Sequence, residues 1–142
     1  MSKYFEVGVR YEKTQEDGTA KKVTETYLID ALSFSEVEKR ITEEMEAYIS
    51  GEFSVVTEKI TNIAEVVTTD DWSADKFYKV KFSIITVDEK TGKEKKQTQL
   101  IVVKASSNDD ARDRYKQYYK DTPVDLVLEA VSETKYIDYI PY

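Results

Sequence analysis

The sequence has no cysteine, no histidine, only 4 glycines and no apolar run approaching the ~20 residues a membrane-spanning helix needs. Each absence removes a class of function. Without cysteine there are no disulfides, thiolate zinc sites or thiol nucleophiles. In a chain of this size that usage leans towards a reducing compartment, with the cytoplasm as the default. Without histidine the chain lacks the side chain most often used as general base or metal ligand near neutral pH. Serine–histidine and cysteine–histidine arrangements are therefore excluded. The glycines, at positions 8, 18, 51 and 92, are isolated, so no phosphate-cradling loop or dinucleotide fingerprint is present. The opening MSKYFEVGVRYEK alternates apolar and polar side chains and lacks the apolar stretch of a signal peptide. No membrane association is expected.

What is present is charge and tyrosine. The 142 residues carry a net charge of −7, and the balance is uneven: residues 1–71 hold 8 basic and 16 acidic groups, residues 72–142 hold 13 and 12, giving −8 against +1. An acidic total opposes nonspecific attraction to a phosphate backbone, although it leaves room for a local basic face.

Compared with itself at a shift of 73–76 residues, the chain aligns KYFEVGVRYEKTQEDGTAKKVTETYLIDALSFSEVEKR with KFYKVKFSIITVDEKTGKEKKQTQLIVVKASSNDDARDR. Phe5, Val7, Val9 and Tyr11 alternate with polar neighbours, as do Tyr78, Val80, Phe82 and Ile84, which marks a strand with one buried face. Asp17-Gly18 and Thr91-Gly92 supply hairpin turns, where glycine reaches the positive φ a tight connection needs. Return strands rich in Val, Ile, Thr and Tyr follow. Ser33 with Glu36 and Ser107 with Asp110 have capping-box spacing, the aspartate version being the weaker. Phe34, Val37, Ile41, Met45 and Tyr48 then recur at helical intervals, with Asn108, Ala111, Tyr115, Tyr119 and Thr122 in the corresponding places. Gly51 is placed to end the first helix as a glycine cap, and Asp121-Thr122-Pro123 to end the second. A long third strand follows each helix, long enough that it should bend, bulge or split.

The expected fold is α+β: a tandem duplication of a ββαβ unit, with about six mainly antiparallel strands and two main helices. Residues 1–71 form the first repeat with its linker and residues 72–142 the second, both packed as one compact domain. The N-terminal stretch KYFEVGVRYEKTQEDGTAKKVTETYLIDALSFSEVEKRI and the tail VSETKYIDYIPY resemble an uncharacterised family of domains of unknown function found in Bacteroidetes and their phages. The resemblance covers nearly the whole chain. It implies an origin in a phage or mobile element, and no activity.

No catalytic constellation is visible. The carboxylate pairs Glu43-Glu44, Asp70-Asp71 and Asp109-Asp110 read as solvated or capping groups, the last complementing a helix dipole. No catalytic residue, metal or cofactor is expected, and the chain reads as a non-enzymatic protein. The candidate binding residues are Phe77, Lys79, Lys81, Lys104, Trp72 and Tyr118. Phe77 among Lys79, Lys81 and Lys104, on the sheet face away from the helix, has the aromatic and basic character of a single-stranded nucleic-acid platform. The blander reading has Phe77, Leu100 and Val102 packed away and the lysines edging the sheet. Tyr118 lies off the buried stripe of the second helix, so it is an exposed contact candidate. Trp72, alone in a polar linker, either anchors a partner or, more commonly for a linker aromatic, folds back over a core end.

The leading function is therefore a protein–protein interaction module, with homodimerisation as an extension. Single-stranded nucleic-acid binding is an alternative that is not favoured. Sequestration of a small ligand such as a nucleotide, between repeats or chains, is another.

Overall fold

The computed structural model describes residues 3–142. Eight strands and two helices follow in the order β1 (Lys3–Thr14), β2 (Ala20–Ala31), α1 (Phe34–Tyr48), β3 (Phe53–Ile60), β4 (Glu65–Val67), β5 (Lys76–Val87), β6 (Glu94–Ala105), α2 (Asn108–Tyr118), β7 (Asp125–Glu133) and β8 (Tyr136–Ile140). The fold is α+β. The chain divides into two compact units, one running to Asn62 and completed by Lys135–Tyr142, the other Ile63–Thr134. These boundaries differ from a cut between residues 71 and 72, because each third-strand segment leaves its own sheet early.

In the first unit the sheet order is β3-β1-β2-β8. Alternation puts Phe5, Val7 and Val9 of β1 and Tyr27, Ile29 and Ala31 of β2 on the face that receives Val37, Ile41 and Met45 of α1. The hairpin is closed as its sequence requires: Gly18 adopts φ +84°, and the Asp17 carboxylate accepts from the Thr19 amide at 3.0 Å and hydroxyl at 2.6 Å. Ser33 caps α1 by accepting from the Glu36 amide at 3.2 Å, while the Glu36 carboxylate accepts from the Leu32 amide at 3.3 Å. The ends of the predicted stripe behave differently. Phe34 and Tyr48 are largely exposed, although Phe34 meets Phe5 edge to face at 5.0 Å. Gly51 has no positive φ; the helix stops where Ile49 turns extended while its amide still donates to the Met45 carbonyl at 2.8 Å.

In the second unit the order is β4-β6-β5-β7, with Tyr78, Val80, Phe82, Ile101 and Val103 facing Ala111 and Tyr115 of α2. Gly92 closes the hairpin at φ +70°. Ser107 caps α2, and the Asp110 carboxylate accepts from the Ser106 amide at 2.9 Å, so this shorter capping group binds as well as its glutamate counterpart.

The strand count exceeds six, and the sheets are mixed. Each third strand both bulges and splits. The bulges fall opposite Gly8/Val9 and Lys81/Phe82, leaving Val56 and Glu129 as the extra residues. The splits follow Thr61 and Thr134, whose amide and hydroxyl both donate to one carbonyl, of Tyr4 at 3.0 and 2.7 Å and of Phe77 at 2.8 and 2.7 Å. The remainder of each segment becomes a short parallel edge strand: β4 on β6, β8 on β2. Parallel neighbours need a long crossover, so neither piece can pair in this way with the strand directly before it.

Candidate interaction surface

Four of the six candidate residues lie on the face of β5 and β6 opposite α2. Phe77 is only 3% exposed, and Lys104 is half-buried with its ammonium 5.8 Å from the Phe77 ring centroid. The ring is therefore occupied by its own cation and is not presented to solvent as a stacking platform. Lys79 is half-buried and Lys81 is exposed. Val102 and Ser83 on this face are fully buried, and the Ser83 hydroxyl donates to the Glu129 carboxylate at 3.0 Å, which also pairs with Lys96 at 2.8 Å.

Of the other two candidates, Trp72 lies in the turn before β5 and Tyr118 ends α2. Trp72 is 92% exposed, which corrects the commoner expectation that a linker aromatic folds back over a core. Its exposure follows from how the turn is built. The Asp71 carbonyl accepts from the Ala74 amide at 3.0 Å, and the Asp71 carboxylate accepts from the Ser73 amide at 3.0 Å and hydroxyl at 2.7 Å. An Asx turn of this kind sets the backbone locally. Thr69 adds a further bond, its hydroxyl accepting from the Asp71 amide at 3.2 Å. Ala74 is buried and ends the turn. Trp72 sits at the crest of this turn, uncovered.

The turn is also braced against the helix. Arg114 of α2 donates to the Asp71 carboxylate at 2.9 Å and to Asp110 at 2.8 Å. Both carboxyls are held below the usual carboxylate range. For Asp71 the Ser73 hydroxyl is the main cause, with Arg114 contributing; for Asp110 the Ser106 amide leads, then Arg114. Arg114 is correspondingly raised, chiefly by Asp110. Tyr118 follows Arg114 by one helical turn, as Arg114 follows Asp110, so the three share one stripe of α2. Tyr118 is 47% exposed, packs edge to face on Tyr119 at 5.0 Å, and its hydroxyl donates to the Glu65 carboxylate at the start of β4.

Reading Asp70 and Asp71 alike as solvated linker groups misses Arg114 and the structural part of Asp71. The D-W-S-A run does carry an Asx-turn signal, in an aspartate two residues before a serine. Arg114, 43 residues away, carries none.

Elsewhere the described residues form two open clefts, one of about 340 Å³ between α2 and β7 lined by Tyr115, Tyr119, Leu126 and Leu128 among others. The other, of about 590 Å³ at the open end of the first unit, is lined by Arg10, Lys22, Glu12 and Glu52 among others, and its mixed charges select no ligand. No group of three or more acidic side chains able to hold a metal ion occurs among the described residues, and no helix among them is long and apolar enough to cross a membrane.

The sequence pattern defining DUF4494, a domain of unknown function, matches residues 3–142, and so spans both units. The chain belongs to the DUF4494 family. No curated protein and no solved structure matches it. Membership of DUF4494 agrees with the resemblance to an uncharacterised family and assigns no chemistry, so the Trp72 surface has to be judged on its geometry.

Proposed function

We propose that this DUF4494 chain is a non-enzymatic interaction protein acting through contacts with another protein, and that Trp72 is its principal contact. The supporting observation is the pairing of 92% exposure with a braced turn. Burying a tryptophan is worth several kcal/mol at about 25 cal/mol per Å², so leaving one in water forgoes stability the fold could have used. A flexible linker could let the ring find cover; the Asp71–Arg114 brace prevents that. A rigid aromatic anchor also loses little entropy on binding, which is why such residues dominate interface energetics.

The two halves read as products of a tandem duplication, supported by their common sheet order, caps, bulge positions and strand-closing threonines. On this reading the turn carrying Trp72 connects the two repeats in sequence while lying inside the second compact unit, between β4 and β5. Origin in Bacteroidetes or their phages and a cytoplasmic location belong to the same proposal, supported by the sequence resemblance and the lack of cysteine.

The test is affinity capture from host lysate with the wild-type chain and Trp72→Ala side by side, followed by mass spectrometry. The reading expects a protein partner in the wild-type sample that is depleted at least tenfold with the variant. The same proteins in the same amounts from both, or nucleic acid alone, would overturn it.

A further inference from the structure

The charges around Trp72 indicate what kind of partner the turn takes. Three aspartates, Asp70, Asp71 and Asp75, lie within three residues of the ring. They are not equivalent. Asp71 is consumed by the turn and by Arg114. Asp70 and Asp75 are exposed and make no ion pair among the described residues. The nearby cations are both engaged: Arg114 holds Asp71 and Asp110, and Lys76 pairs with Glu133 at 3.8 Å. The turn thus carries one exposed aromatic ring and, beside it in sequence, two exposed carboxylates that form no ion pair among the described residues, while Arg114 and Lys76 are held by other partners.

We infer that the Trp72 turn is a docking site for a basic segment of a partner protein, receiving an arginine or lysine side chain over the indole ring. This rests on the proposed interaction role and adds to it the chemistry of the partner. Of the aromatic side chains tryptophan attracts cations best, and a guanidinium can stack on the ring while donating to a carboxylate beside it. Asp70 and Asp75 supply those acceptors. The net charge of −7 steers a cationic partner towards the molecule, but only the ring gives the encounter a fixed place. An acidic or neutral segment would leave both carboxylates unpaired at the contact, so the site discriminates by charge as well as by shape.

Trp72 is the only tryptophan, so its emission reports on this site alone. Titration of the full chain with hexa-arginine should change that emission saturably, while hexaglutamate should leave it unchanged. With fluorescein-labelled hexa-arginine followed by anisotropy, Trp72→Ala should weaken binding at least tenfold although no charge is altered, and Trp72→Phe should retain part of it. Asp70→Asn with Asp75→Asn should weaken binding more than Glu43→Gln with Glu44→Gln, which removes the same charge from α1. Equal losses from the two double variants, or unchanged binding by Trp72→Ala, would reduce the effect to overall charge and overturn the inference. If lysate capture depends on Trp72 while its emission ignores hexa-arginine, the basic partner falls and the interaction role stands. If capture does not depend on Trp72, both fall.

Discussion

Two carboxylates that no sequence pattern brings together give the first unit one identifiable contribution to its pH dependence. Glu58 of β3 faces Glu38 of α1, and one Glu58 oxygen is shut off from solvent with no donor to meet it among the described residues. Burial raises the Glu58 carboxyl, and the neighbouring Glu38 charge raises it further. A proton on the Glu58 carboxyl would let it donate to the Glu38 carboxylate. A folded-state value above the unfolded one means that this group's stabilising contribution is complete below the unfolded carboxylate range, near pH 4, and is lost as pH rises through the raised value. Glu58→Gln should therefore stabilise the chain at pH 7, by the roughly 0.2–1 kcal/mol typical of part-exposed charge pairs, with the gain vanishing near pH 4. Asp110 in the second unit works in the opposite sense. Its lowered carboxyl contributes above the unfolded range and loses that contribution as the pH falls, so Asp110→Asn should cost stability at pH 7 and progressively less below pH 4. Thermal unfolding of both variants at pH 7 and pH 4 checks the signs. A Glu58→Gln variant less stable than wild type at pH 7 would show that the pair is favourable as it stands.

Elements whose signals are local are legible in the amino-acid sequence alone. The hairpin glycines, the serine caps and the alternation in β1 and β5 all act within a few residues, and each appears where the sequence puts it. What escapes depends on the approach of a distant segment. Gly8 carries no turn signal, yet a Cβ built on it would overlap the Thr57 hydroxyl oxygen, because the bulge at Val56 draws β3 close to β1 there. Gly51 has the cap signal and does not use it, since Ile49 leaves the helix as extended backbone two residues earlier. The same distinction divides the candidate site: Tyr118 is readable from its place off the buried stripe of α2 and the Trp72 turn from its Asx signal, whereas the contact of Arg114 with Asp71 leaves no local trace. Gly8→Ala should cost about 1–3 kcal/mol, the usual penalty for overfilling a packed position. Thr57→Ala should recover most of that loss in the double variant, since it removes the atom in the way. Chemical denaturation of the four proteins of this cycle measures the coupling, and simple additivity would place the strain elsewhere.

In the molecule as a whole, sequence position and structural membership part company at the last eight residues. Lys135–Tyr142 belong to the first unit, where β8 lies parallel to β2, with Tyr27 opposite Asp138 and Ile29 opposite Ile140. Ile140 enters the core beneath α1, and the Tyr136 hydroxyl donates to the Glu6 carboxylate. Arg40 of α1 clasps the tail by donating to the Pro141 carbonyl and lying 5.4 Å over the Tyr142 ring. No periodicity could announce this, because a parallel partner more than a hundred residues away leaves no local trace. The consequence can be tested by ending the chain after Lys135. Losing the buried Ile140 side chain alone should cost about 2–5 kcal/mol, and unpairing β2 adds to it. The damage should appear at the opposite end of the sequence: amide exchange should accelerate in Thr26–Ile29 and through α1, while β7, next to the cut, keeps its protection through its ladder with β5. Faster exchange confined to β7, with β2 and α1 unaffected, would show that the tail contributes nothing to the first unit's stability.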